Sequence, residues 1–97
     1  MKRSDAFSLI ETERAYQDST YSPNETLSSG QTRAQRDLDV TSHLTLLDIY
    51  VDKAKNAWNV KGDNIPALQQ IAKIGAIAVR ALERAGGSDT LLTKGLR

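Results

Sequence analysis

The sequence predicts an all-α protein, built on an antiparallel helical hairpin (about 42–60 and 64–85) with a shorter N-terminal helix (about 5–17), and three observations predict it. Leu44, Leu47, Val51, Ala54 and Trp58 step by 3, 4, 3 and 4, which is a heptad seam. Leu68, Ile71, Gly75, Ala78, Leu82 and Ala85 repeat the pattern with steps of 3, 4, 3, 4 and 3. Each helical segment also carries its own start signal, as its element shows.

The N-terminal helix opens with Ser4 as a plausible N-cap and Asp5 in the first turn, where a carboxylate meets the positive end of the helix dipole. Its apolar positions, Phe7, Leu9 and Ile10, are few and lie among Glu11, Glu13 and Arg14. A surface helix that docks on something larger is expected. From Asp18 the composition turns to Ser, Thr, Asn, Gly and Pro, and 18–40 reads as a loop or linker, with Tyr16 and Tyr21 near its start and Arg33 and Arg36 towards its end. A connection this long is a binding loop, a lid or a disordered linker.

Thr41 or Ser42 opens the second helix. Leu46 and Tyr50 broaden its seam on one side, while Asp48, Asp52, Lys55 and Asn56 lie off it. Gly62-Asp63-Asn64 is a turn. The third helix begins with Asp63 or Asn64 as cap and Pro66 in its first turn, and Gly86-Gly87 ends it. Beside its heptad seam runs a second apolar row of Ala67, Ile74, Ile77 and Ala81. The partner helix can cover only one row and the N-terminal helix offers little area for the other, so assembly into a helical homo-oligomer is expected; the alternative is a monomer in which the N-terminal helix fills the second seam. Gly75 in mid-helix costs about 1 kcal/mol relative to alanine, and close helix approach is the expected compensation. Residues 88–97 read as a flexible polar tail, and 1–97 as a single helical domain.

Composition narrows the function classes. A chain of 97 residues buries only about two-thirds of its unfolded surface. No cysteine is present, which excludes disulfide staples, thiolate zinc sites and thiol nucleophiles. Thirteen basic and twelve acidic side chains leave a net charge of +1, so no general field draws the surface onto nucleic acid or anionic lipid, and anion binding must be local. The longest apolar stretch, Ile71 to Leu82, is broken by Lys73 and Arg80 and is too short to span a bilayer. No signal peptide is read at the start, and a cytoplasmic location is expected, without membrane or nucleic-acid partners.

Candidate chemistry is sparse. The single histidine, His43, near a helix start, reads as a solvated side chain. No nucleophile motif and no Gly-rich phosphate loop between strand and helix occurs. Asp48 and Asp52 are four apart on one helix, the spacing that hands two carboxylates to a divalent cation, or else a solvated face paired with Lys53 or Lys55. The facing helix offers Gln69, Gln70, Lys73, Arg80 and Arg84, with only Glu83 acidic. Lys73, Arg80 and Arg84 step by 7 and 4 along one stripe, either a phosphate-contacting row or simply the wet face of the helix.

The stretches I10-E-T-E-R-A-Y-Q-D18, L46-L-D-I-Y-V-D-K-A54 and L68-Q-Q-I-A-K-I-G-A-I-A-V-R-A-L-E83 together resemble the layout of small phage proteins related to the MazG-like nucleoside triphosphate pyrophosphohydrolases, over about half the chain. The resemblance implies an all-α oligomer that holds magnesium on two facing helices. On that layout Asp48 and Asp52 match the outer acids of the first metal motif, Ile49 stands in place of its middle glutamate, and the second motif falls on Gln70 and Lys73. A cation in place of a metal-binding carboxylate implies a degenerate site that contacts phosphate directly. The expected function is therefore a non-catalytic phage-type binding protein, a sponge that sequesters a small nucleotide-like immune-signalling anion at subunit interfaces. Arg33, Arg36, Lys73, Arg80 and Arg84 would supply phosphate contacts, Tyr16 or Tyr21 a stacking face, and no cofactor is needed. The alternatives are a magnesium-dependent pyrophosphohydrolase using Asp48 and Asp52 with Glu11, Glu13 or Asp18, and a protein–protein inhibitor or adaptor of a host factor that presents the uncovered seam as a groove.

Overall fold

The computed structural model describes residues 1–62, 64–86 and 90–96, and these form helices α1 (Arg3–Thr20), α2 (Arg33–Arg36), α3 (Val40–Lys61), α4 (Asn64–Ala85) and α5 (Thr90–Lys94), with no strand among them. None of the helices is long and apolar enough to cross a membrane.

The start of α1 is set two residues earlier than Ser4 suggests, with Lys2 as its cap. Asp5 occupies the third helical position and its carboxylate accepts the Lys2 backbone N–H at 3.3 Å, satisfying a donor the first turn leaves open. At the other end the helix runs on to Thr20 because Asp18 is held twice, by Arg14 one turn back and by Arg84 of α4. The connection to α3 is accordingly shorter than the expected 18–40, and it is partly folded. Thr26 and Thr32 form an isolated bridge around a turn in which Gly30 has φ 91°. Thr32 and Gln35 then form a capping box that starts α2, while Arg33 and Ala34 donate backbone N–H bonds to the Glu25 and Pro23 carbonyls, both at 2.9 Å.

Asp39, rather than Thr41 or Ser42, caps α3 by accepting the Thr41 N–H at 3.0 Å. The Ser42 hydroxyl instead donates to the carbonyls of Asp39 and Arg36, which ties the end of α2 to the start of α3. Gly62 closes α3 in the left-handed conformation, φ 60°. Asn64 stands inside α4 as its first residue and accepts from the Trp58 indole N–H at 3.2 Å; the other expected cap, Asp63, lies outside the described residues, as do Gly87 of the expected stop signal and Ser88, Asp89 and Arg97 of the tail. Where the tail was expected to be polar and loose, Thr90–Lys94 forms a short helix.

Helices α3 and α4 pack as the expected antiparallel hairpin, and α1 lies on α4. Ile10 sits over Gly75: a Cβ at that position would lie 2.7 Å from Ile10 Cδ1 and 2.9 Å from Cγ1, so the mid-helix glycine allows the close approach its position suggests. The successive contacts Ile10 to Gly75, Arg14 to Glu83 and Asp18 to Arg84 run α1 in the same direction as α4.

The two apolar rows of α4 divide unequally. The second row turns inward: Ala67 and Ile77 are buried, with Ala76 beside them, and Ile74 and Ala81 are half-buried. The heptad row faces out, with Leu68, Ile71 and Leu82 all more than half exposed, as are Leu44 and Trp58 on α3. Contact with α1 at Gly75 covers the middle of that row and leaves its two ends open.

Candidate functional site, a cation-lined cavity

Little of the interior is apolar. Arg14, Gln17, Asp37, His43 and Arg80 are buried beside Ala67, Ala76 and Ile77, and two of the polar members, Gln17 and Arg80, line a cavity of about 320 Å³. Helix α1 contributes Glu13, Tyr16 and Gln17, followed by Tyr21 just beyond its end; α2 contributes Arg33 and Arg36; α3, Leu46 and Tyr50; and α4, Lys73, Ile77 and Arg80. The α4 residues step by 4 and 3, which places them on one helical face. That face is the inner one, so the wet-face alternative for this stripe fails at Arg80.

The floor and rim differ in character. Ile77, Gln17 and Arg80 are buried, Arg80 being 5% exposed, whereas Tyr16 and Tyr21 are exposed at the mouth. Arg33 is held by Glu25 at 2.5 Å and lies 5.1 Å above the Tyr21 ring, a cation–π contact. Arg36 reaches Asp37 at 3.3 Å. Lys73 forms no ion pair among the described residues. Arg80 stands out because its Nε and Nη2, though buried, have no hydrogen-bond partner, and neither does Oε1 of Gln17.

What permits a buried arginine here is a network behind it. The fully buried Asp37 carboxylate accepts from Arg84 and Arg36. Arg84 donates also to Asp18 at 3.0 Å; Asp18 accepts from Arg14 at 2.7 Å; and Arg14 donates to Glu83 at 3.0 Å. Arg14, Arg36 and Arg84 thus share Asp18, Asp37 and Glu83, and Arg80 feels Asp37 through charge alone, without a bond to it. Burial alone would raise the Asp37 pKa, but the Arg84 hydrogen bond and the charges of Arg80, Arg36 and Arg84 outweigh it and hold the carboxyl below its ordinary value. For Arg14, hydrogen bonds to Glu83 and Asp18 likewise overcome burial and raise the pKa. Arg80 goes the other way: burial dominates, Asp37 opposes it, and Arg84, Arg14 and Arg36 add to it, so its pKa is lowered.

His43 is the clearest correction to the expectations. Far from solvated, it is 1% exposed, and its Nε2–H donates to the Asp37 carbonyl at 2.8 Å. A carbonyl can only accept, so the proton sits on Nε2. The histidine therefore braces the α2–α3 junction that presents Asp37 and Arg36.

Of the residues singled out from sequence, Tyr16, Tyr21, Arg33, Arg36, Lys73 and Arg80 line this one cavity. Arg84 does not; it turns to Asp37 and Asp18 and holds the network. Sequence reasoning missed Gln17, Tyr50 and Asp37. Gln17 was accessible in principle, since it lies on the same turn of α1 as Glu13 and Tyr16. Asp37 carried no local signal, because its main partner, Arg84, is 47 positions away.

The donor set does not fit a divalent metal. Asp48 and Asp52 are exposed on α3, away from the cavity, and pair with neither Lys53 nor Lys55; Lys53 instead lies 4.6 Å over the Tyr50 ring. Gln70 and Lys73 supply no carboxylate, Glu11 is exposed, Asp18 is engaged by two arginines, and no three His, Asp or Glu side chains converge among the described residues. No protein-family description matches this chain, and neither a curated protein nor a solved structure was found to match it.

Proposed function

We propose that this chain is a binding protein that captures a small phosphate-bearing, nucleotide-like anion in the cavity between α1, α2, α3 and α4, and that it does so without a metal. The observation that carries this is Arg80, 5% exposed, with two donor atoms unpartnered at a cavity that Arg36 and Lys73 also line. A buried charge without a direct counter-ion costs several kcal/mol. Water can fill the donors but brings no charge, whereas a phosphate satisfies both. The tyrosines at the mouth supply stacking faces for a planar ring, and the cavity volume suits a single small molecule. The reading is sequestration, with a signalling nucleotide as the cargo.

Self-association belongs to the same proposal. An open groove between α3 and α4, lined by Trp58, Leu68, Ile71, Ala54 and Ala67 with Lys55 its single charge, lies at the hairpin's turn-proximal end. A half-exposed tryptophan flanked by half-exposed Leu68 and Ile71 is the composition of an interface core, and a second copy brings the same surface for a two-fold contact. Titration calorimetry with nucleoside monophosphates in EDTA tests the cavity: metal-free binding supports the proposal, and binding or hydrolysis seen only with magnesium overturns it. Native mass spectrometry tests the assembly. An oligomer supports it, and a monomer transfers the groove to the adaptor alternative, a helix of another protein.

A further inference from the structure

The cavity has a direction, and it sets which phosphates fit. Building on the anion-binding proposal above, we infer that the ligand enters phosphate first, and that the phosphate is a terminal monoester rather than part of a ring or an internal diester.

Arg33 and Arg36 each leave one buried Nε unpartnered at the cavity, but only Arg80 leaves two donors so, and it is the most buried of the lining cations. Arg80 offers two buried donors, and Gln17, 8% exposed, offers a buried acceptor, Oε1, none of them partnered. Ile77, 2% exposed, closes the floor between them and excludes water from its own surface. The rim holds the flat surfaces: Tyr16 and Tyr21 are 58% and 45% exposed. A nucleotide lying with its base inward would leave the Arg80 charge buried and unanswered, and its phosphate in water. Turned round, its phosphate meets Arg80 and its base stacks at the mouth.

A terminal phosphate also answers both kinds of orphan group. It presents three non-bridging oxygens, one of which is an O–H in the monoanion, so it accepts from Arg80 and can donate to Gln17. A 3′,5′-cyclic phosphodiester presents two non-bridging oxygens, neither protonated, and drags the fused sugar to the floor with it. As a dianion the monoester gives up the donation to Gln17 but carries two negative charges against the diester's one, and Arg36, Lys73 and Arg80 all line the cavity. Glu13, the one carboxylate lining the cavity, suits sugar hydroxyls rather than phosphate.

The test is titration calorimetry of the whole chain in EDTA with the four nucleoside 5′-monophosphates, their 3′,5′-cyclic counterparts, the free nucleosides and inorganic phosphate. At least one 5′-monophosphate should bind, tenfold or more tighter than its cyclic form and its nucleoside. Tyr16→Ala, an exposed position, should weaken that nucleotide about fivefold and leave inorganic phosphate unchanged, whereas Arg80→Gln, with helicity checked by circular dichroism, should weaken both at least tenfold. A cyclic nucleotide that binds as tightly as the monoester, or a Tyr16→Ala effect equal on phosphate and nucleotide, overturns the orientation while the anion site stands. If no phosphate compound binds, the anion proposal falls and the orientation with it.

Discussion

The two ends of the helical hairpin have exchanged the roles that burial usually assigns. Around the C-terminal halves of α1 and α4, Arg14, Arg80 and the Asp37 carboxylate are buried; near the α3–α4 turn, Trp58, Leu68 and Ile71 stand half in water. A small domain has too little apolar area to afford both a charged interior and a wasted apolar surface. On the proposal above, each end answers to something not covalently part of the chain, an anion at one and an apolar surface at the other.

The sharpest way to break that comparison is to remove the anion the charged end already has. Asp37→Ala leaves Arg84 and Arg80 without their buried carboxylate, and a loss of about 3–5 kcal/mol in urea unfolding is expected; a loss below about 1 kcal/mol would show that the network does not hold this end together. The titration of Asp37 probes the same point. Its folded pKa is depressed, so its contribution to stability is fully present above the unfolded value near 3.9 and is lost as pH falls through the lower folded value. Melting temperatures of the native chain should therefore fall more steeply below about pH 4 than those of Asp37→Asn.

Gly75→Leu tests the seam between the two ends. A side chain there collides with Ile10, and a destabilisation of about 1–3 kcal/mol is expected, with α1 lifted from α4 and its amides exchanging faster. Arg80→Met should act oppositely to Asp37→Ala despite the shared neighbourhood. Replacing a buried cation that lacks a direct partner by an apolar side chain of similar length leaves folding stability unchanged or raises it by about 1 kcal/mol, while phosphate binding is lost. A clear destabilisation would make Arg80 a structural residue. The smallest effect on folding belongs to the apolar end: Ile71→Glu, on an exposed position, should change folding stability by no more than about 0.5 kcal/mol yet shift the assembly towards monomer in native mass spectrometry.

The three long helices were legible in advance because their signals are local; α2 and α5, inside the expected linker and tail, were not. The seam Leu44 to Trp58, the steps Leu68 to Ala85 and the cost of Gly75 all lie within one element, and the hairpin they describe is the one observed. Cap positions were less so: Asp5 and Asp39 reach back from or into neighbouring turns in ways that Ser4, Thr41 and Ser42 imitate in sequence. Aromatic and basic residues at the end of α1, in the connection and on α4 could be named, but not their convergence, since nothing in a chain of residues measures the distance from Tyr21 to Arg80. His43 was misjudged for the same reason, its partner being a carbonyl outside its own helix.

By itself, then, the sequence determined helix content, the hairpin, the need for close contact at Gly75, and an interior too small to consume all its apolar residues, because periodicity, propensity and composition are properties of neighbours along the chain. Only the tertiary structure decided which apolar row of α4 faces inward, that Arg84 holds Asp37 and Asp18 while Arg80 faces the cavity, and that a carboxylate from the α2–α3 junction underwrites the site. Those outcomes depend on how α1 and the connecting segment lie against α4, and burial and charge pairing are set by that packing across tens of residues.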